Sequence, residues 1–399
     1  MVISARRRHH LGAYLQFSIL SEYELIRIPG LLKCLAMYRR VGLLRSVLLC
    51  NIRALYQDVK PHSKLLIKSA SPLEVSCLPT CEAESSSVTL PDSSVFRVDD
   101  GYKIVQTSES HPLKDHINEI RVPTRRDIEI IHGSCDPISF VNYEGPKAMI
   151  ESPGPVGYAK LKVSDFSIKS GGDVVGSGYL EGNFHLVTNG SFKADNITGS
   201  SIEILFGGTN FAVHSAYCET MNLNWITPEE PPDGVTPVTL PPLSVYFGTL
   251  RGNATIEIAG NANFNIGSFE GSLYLRQRFG DVAVHIGGPC QLLEIDIAEG
   301  NVELSLPLST VGEKVSGAIE IQAPEIDVDR DALPADCLDN WELGEVAEAQ
   351  TFYANFNNPG TDCETLWRVR TLRGRVKLTG ASWADAMARC IKRTAATMT

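Results

Sequence analysis

Three kinds of side chain in this sequence could do chemistry at a useful spacing: carboxylates, histidines and a cysteine pair. Asp327, Asp329 and Asp331 stand where the first three ligands of a calcium loop would stand. Such a loop also needs a glycine for its sharp turn and a glutamate to close the coordination shell. Ala332 and Leu338 occupy those two positions, so a solvated acidic turn is the expectation. Cys77 and Cys81 have the spacing of half a zinc site, but the second pair is missing and zinc takes four ligands. His132, His185, His214 and His285 are far apart in sequence and meet only if the fold stacks two of them; outward-facing strand histidines are the plain reading. Asp165, Asp173 and Asp281 could in principle converge as the carboxylate cluster of a polysaccharide-cleaving β-helix, although matching residues at a common period are not apparent. No Gly-x-Ser-x-Gly elbow, phosphate loop, dinucleotide glycine motif or His-Glu-x-x-His pair occurs. These residues predict no catalytic, cofactor-binding or metal site.

The surroundings of those residues narrow the partner class. The formal net charge is -11, but residues 1 to 57 hold nine Lys or Arg against Glu22 and Glu24, which leaves about -18 on the remainder by subtraction. Phosphate backbones are bound by basic stripes, so an acidic body excludes nucleic acid as the main partner. Ten cysteines are scattered without the dense spacing of a small secreted disulfide scaffold, and they read as reduced thiols. Sequons at Asn189, Asn196 and Asn253 matter only on a secretory route.

Residues 1 to 57 read as a removable targeting segment. Arg6, Arg7 and Arg8 are followed by Arg27, Lys33, Arg39, Arg40, Arg45 and Arg53 among leucines and serines, the composition of a mitochondrial transit peptide. Val41, Leu44, Leu48, Ile52 and Leu55 recur at helical spacing and predict an amphipathic basic helix. Leu11 to Leu20 is the alternative, a serine- and glutamine-diluted secretory core that would make the protein secreted. Glu22, Lys33 and Arg45 interrupt every apolar run long enough to span a bilayer, so no stable membrane insertion is expected. Residues 58 to 95, rich in Ser, Pro, Cys and Glu, read as a flexible linker, and the body is expected over 96 to 393.

The body carries a repeat. Short runs alternate apolar and polar residues, as in Ile128 and Ile130 or Phe166 and Ile168, which is the period of a half-buried strand. A phrase, apolar-x-Gly-x-apolar-x-apolar, recurs as Leu180-Glu-Gly182-Asn-Phe184-His-Leu186 and Phe269-Glu-Gly271-Ser-Leu273-Tyr-Leu275. Related copies surround Gly252, Gly300 and Gly374, with Gly199 one residue longer, and glycine marks a common corner in this reading. A different turn opens the second strands: Asn189-Gly190 before Phe192, Gly207-Gly208 before Phe211, Gly260-Asn261 before Phe264 and Gly280-Asp281 before Val282. The fold class predicted is therefore all-β: a single-stranded right-handed parallel β-helix or solenoid with two strands per coil of about 18 residues. An antiparallel β-sandwich is the alternative, since it shares the strand spacing. Residues 226 to 243, with six prolines, predict an external loop; residues 331 to 365 predict an acidic, irregular insertion; Trp383 to Arg393 predict a short C-terminal capping helix.

This phrase set resembles the "putative adhesin" family, a domain of unknown function held to form β-solenoids. The stretch Gly171-Gly172-Asp173-Val174 through Gly178-Tyr179-Leu180-Glu181-Gly182, then Ala216-Tyr217-Cys218-Glu219, with Arg373-Gly374-Arg375-Val376-Lys377-Leu378 near the end, is similar to animal proteins called family with sequence similarity 185. The resemblance covers residues 100 to 393 and implies a fold without catalytic residues. A long repeat without a reactive cluster predicts a non-enzymatic interaction or scaffold protein with a protein partner, inside mitochondria; the alternative is a carbohydrate-binding or carbohydrate-active β-helix of the secretory route.

Overall fold

The computed structural model describes residues 2–5, 15–18, 55–58, 64–69, 72–77, 87–90, 94–99, 102–107, 118–122, 127–226, 242–307, 317–329, 341–346, 349–356 and 365–381. All regular elements among them are strands, in two compact units, Met1–Gly154 and Pro155–Thr399. The first unit contains β1 (Val2–Ala5), β2 (Leu15–Ser18), β3 (Leu55–Asp58), β4 (Lys64–Ser69), β5 (Leu73–Cys77), β6 (Ser87–Leu90), β7 (Ser94–Asp99), β8 (Tyr102–Thr107), β9 (Asn118–Val122), β10 (Ile128–His132), β11 (Ile138–Val141) and β12 (Glu144–Ser152). The second contains β13 (Val156–Ser170), β14 (Val174–Thr188), β15 (Phe192–Phe206), β16 (Asn210–Trp225), β17 (Leu243–Phe279), β18 (Val282–Glu299) and β19 (Val302–Pro307). It ends with β20 (Gly317–Ala323), β21 (Glu325–Val328), β22 (Trp341–Val346), β23 (Ala349–Phe356), β24 (Thr365–Arg373) and β25 (Arg375–Ala381).

In the second unit β13 to β19 stack parallel, rung on rung, which is the solenoid arrangement and sets the antiparallel sandwich aside. Val156 lies beside Val174, Val174 beside Phe192, Phe192 beside Phe211 and Phe211 beside Val245. The last step is longer because residues 227–241, the bulk of the expected external loop and outside the described residues, intervene without breaking register. Alternation turns one side chain in two inward, and those are the apolar ones. Stacking places like beside like, so aromatic rings form a continuous interior chain. Phe166 stacks on Phe184 at 5.7 Å between centroids, Phe184 meets Phe192 at 5.9 Å, Phe192 meets Phe211 at 5.4 Å and Phe211 meets Phe247 at 5.1 Å. Each of these phenylalanines is at most 2% exposed. One rung alone would leave them in water, at a cost of roughly 1.5–3 kcal/mol per side chain, so the rungs are stable only as a stack.

The two unlike corners have different backbone solutions. The first is a bulge inside a continuous strand: register slips between Lys162 and Asp165 and again between Glu181 and Phe184. Gly182, Gly252 and Gly271 have φ of 131°, 131° and 123° there, and a Cβ on any of them would strike a carbonyl oxygen of the preceding rung. The second corner is a true turn, and Gly280, Gly300 and Gly374 stack over one another on it. Gly300 and Gly374 therefore belong to the second corner, contrary to the single-corner reading; the same phrase serves both because either corner brings backbone against backbone. The buried polar side chains near this turn donate to its carbonyls: Thr188 Oγ1 to Gly172 at 2.6 Å, Gln277 Nε2 to Ala262 at 2.6 Å and Thr371 Oγ1 to Gly300 at 2.9 Å.

Each unit also contains a rung out of sequence order. In the second, β24 and β25 lie between β18–β19 and β20–β21: Ile295 pairs with Val369, which pairs with Ile321, while Leu304 pairs with Leu378, which pairs with Val328. β23 then covers β20 antiparallel and β22 covers β23. The segment expected to be an irregular acidic insertion thus supplies two strands, with Phe352 and Ala354 buried. In the first unit, β4 and β5 lie between β8–β9 and β10–β11, and Leu65, Ile67, Leu73 and Val75 are at most 1% exposed. Residues 58 to 95, expected as a flexible linker, thus supply β4, β5 and β6 and the start of β7, whose alternation a Ser- and Pro-rich neighbourhood obscured. The expected C-terminal helix over Trp383–Arg393 and the amphipathic helix before Leu55 lie outside the described residues.

Candidate functional site

The three aspartates proposed for a cluster are held apart. Asp165 lies at the first corner, where Asn183 Nδ2 donates to its Oδ1 at 3.1 Å. Asp173 and Asp281 lie at the second corner but are separated along the stack by the rungs that open at Phe192, Phe211, Val245 and Phe264. Each caps the next rung: Ser191 N donates to Asp173 Oδ1 at 2.7 Å, and Asn301 N and Nδ2 donate to Asp281 Oδ1 at 2.9 and 3.0 Å. Asn301 passes the pattern on, its Oδ1 accepting from Arg375 N at 3.1 Å. These carboxylates tie rung to rung.

The histidines divide between faces. His132 and His285 are buried, against Ser152 and Ser305, with His285 Nδ1 2.8 Å from Ser305 Oγ; His185 and His214 are exposed, and no two of the four are brought together. Asp327 lies on β21 in an ion pair, 2.6 Å from Arg375 Nη2, so it is committed to the neighbouring rung; Asp331 and Cys81 lie outside the described residues. No group of three metal-ligating side chains occurs among the described residues. Cys135 is exposed, whereas burial pushes the Cys218 thiol up to about 11 and the Cys290 thiol up to about 12, against a lowering from its contact with Trp367. Burial, with a smaller push from Asp195, also raises the Tyr158 phenol. All three sequon asparagines are exposed. No helix among the described residues is long and apolar enough to cross a membrane.

Two surface features were not legible as sites. The first is a charge ladder. β24 and β25 carry Arg368, Arg370, Arg373, Arg375 and Lys377, and acids stand opposite on both flanking rungs. Glu294, Asp296, Glu299 and Glu303 face them from β18–β19; Glu320 and Asp327 face them from β20–β21. Arg368 Nε is 3.1 Å from Glu320 Oε2 and Arg373 Nη1 is 3.8 Å from Glu299 Oε2.

The second is a groove of about 530 Å³ that runs across the rungs on the outside of the second unit. Its floor is one column of outward side chains: Asn265 lies beside Ala283, Ala283 beside Glu303 and Glu303 beside Lys377, with Tyr246 at the far end. Its corner-side wall is the column two residues before the floor side chains, Ser244, Asn263, Asp281, Asn301 and Arg375. The small Ala283 between longer neighbours makes the concavity. Tyr246 lays its hydroxyl over Gly248, where a Cβ would come within 3.3 Å of it, so the ring lies along the sheet.

No family model and no curated protein matches the chain. A solved structure described as a "putative cell adhesion protein" of Clostridium sporogenes aligns with 82% of this chain and 98% of its own, at 8% identity and a TM-score of 0.14. The site is therefore built from this chain's own residues. The alternation of Asn and Asp before successive strands was the one sequence signal for the groove wall. Nothing marked the floor, because its residues share a column only through bulges that shift the repeat length.

Proposed function

We propose that this chain is a non-enzymatic interaction or scaffold protein, acting inside mitochondria, which presents the outer faces of its solenoid and its proline-rich loop to a protein partner. The observation that carries the reading is the employment of Asp165, Asp173 and Asp281: each accepts hydrogen bonds from an adjacent rung, an arrangement that ties the frame together and keeps these three carboxylates apart. A stacked frame holds its surface side chains at fixed spacing, which suits recognition. The basic composition of residues 1 to 57 supports the location.

Two measurements test this. If the purified protein hydrolyses or lyases a glycan, and substituting one carboxylate abolishes that activity, the scaffold reading is wrong. Mass spectrometry of the mature chain is expected to find an unglycosylated protein trimmed near residue 57; sugar on Asn189, Asn196 or Asn253 would instead place it on the secretory route. A second reading, carbohydrate binding, is favoured by the amide-lined groove and concerns that groove alone.

A further inference from the structure

We propose that the groove over Ala283 is a binding site for a neutral, hydroxyl-rich linear glycan laid along the stacking axis. The inference rests on reading the chain as a binding frame and adds to it a ligand class and a place. Charge is the first argument. The lining contains Asp281 and Glu303 with Arg375 and Lys377, and Arg375 is already paired with Glu325 and Asp327, so an acidic polymer meets no free basic stripe along its length. Backbone is the second. The strands beneath are paired on both sides, β17 with β16 and β18, and β19 with β18 and β25. No strand edge is open on the floor for an extended peptide to join, so a peptide would lack the main-chain bonds that give such complexes their affinity.

What the groove does offer is side-chain donors and acceptors at every rung. The amides of Asn263 and Asn265 face it without a partner among the described residues, and each presents both a donor and an acceptor. The amide of Asn301 caps Asp281 on one side and receives the Arg375 N–H on the other, which fixes its orientation. Tyr246, lying along the sheet, supplies an apolar face with a polar tip, the surface on which a sugar ring can stack while its hydroxyls reach the amides. Rungs repeat at about 4.8 Å, so a polymer with a similar step meets a polar side chain at each unit. Arg375 and Lys377 belong to the rung inserted out of order, so the site is complete only once β24 and β25 are seated.

The test is calorimetric titration of the full-length protein with linear hexasaccharides of glucose, mannose and N-acetylglucosamine, and with hexagalacturonate as an acidic counterpart. At least one neutral hexamer is expected to bind with Kd below about 1 mM. Ala283→Arg, which fills the floor, is expected to weaken it at least tenfold, and Tyr246→Ala about tenfold. Lys193→Ala, in the same column on a rung outside the groove, is expected to leave it unchanged. If Ala283→Arg loses its β-sheet circular dichroism, Asn265→Ala with the same readout decides. Absence of binding by every neutral hexamer, binding of hexagalacturonate alone, or unaltered binding by the groove variants overturns the proposal. Those failures leave the frame reading intact, whereas cleavage of a hexamer overturns the frame reading.

Discussion

Reversing the charge of the inserted rung should release it. Arg368 sits between Glu294 and Glu320, with its side chain 48% exposed and that of Glu320 43% exposed. An exposed pair of this kind contributes roughly 0.2–1 kcal/mol. Arg368→Glu removes that attraction and sets like charges directly opposite on two sides, each unfavourable by a similar amount. The single variant should therefore lose about 1–2 kcal/mol. Adding Arg370→Glu and Arg375→Glu, which face Asp296 and Asp327, brings the loss to the order of 3–5 kcal/mol, a large part of the stability of an ordinary domain. Hydrogen exchange read by mass spectrometry should then show amides of β24, β25 and β20 exchanging near the rate of an open chain, while β14, β15 and β16 keep their protection. A second set, the triple variant combined with Glu294→Arg and Glu320→Arg, should recover part of the protection at β24. The reasoning is refuted if the triple variant exchanges as slowly as the parent protein, since apolar burial of Trp367, Val369, Val376 and Leu378 would then suffice to place the rung.

Two further outcomes follow from the same structure. Gly182→Ala or Gly271→Ala places a Cβ at positive φ against a neighbouring carbonyl, and should destabilise by about 2–4 kcal/mol in urea melts, whereas Gly344→Ala, with nothing within 4 Å, should be neutral within about 0.5 kcal/mol. Cys290 gives a pH signature: its thiol, pushed up to about 12, stays neutral in the fold while an unfolded thiol ionises above about 9. Unfolding then releases a proton, so stability is complete below pH 9 and declines as pH rises towards 12. Between pH 8 and pH 10 the parent protein should lose about 1.4 kcal/mol more than Cys290→Ala does, read as the difference in urea midpoints. Equal losses would mean that the thiol ionises in place.

How much of this was legible follows from what each signal depends on. Inward alternation and corner glycines are local, so the solenoid could be read from Phe184, Phe192 and Gly182 before any neighbour was known. The two interruptions of sequence order could not. β5 reads Leu-Glu-Val-Ser-Cys and β23 reads Ala-Gln-Thr-Phe-Tyr-Ala-Asn-Phe, both with adequate alternation, yet each adjoins polar or proline-rich residues that signal a loop. Which rung a strand joins is decided by partners tens of residues away. The groove was hidden for a related reason: Tyr246, Asn265, Ala283, Glu303 and Lys377 fall in one column only after bulges and a 74-residue step between Glu303 and Lys377 are known.

The out-of-order rung raises a question of cause that apolar patterning cannot answer. Val302, Val376 and Ile326 all open their rungs with a β-branched residue, so the core would accept β20–β21 directly on β18–β19. On the outside the answer differs. That direct contact would set Glu320 against Glu294 and Asp327 against Glu303, and like charges directly opposite are unfavourable. Interposing β24–β25 turns both into acid–base–acid sandwiches, Glu294–Arg368–Glu320 and Glu303–Lys377–Asp327. The interior makes the rungs stack, the exterior charges favour this order of rungs, and the order brings Arg375 and Lys377 to the groove.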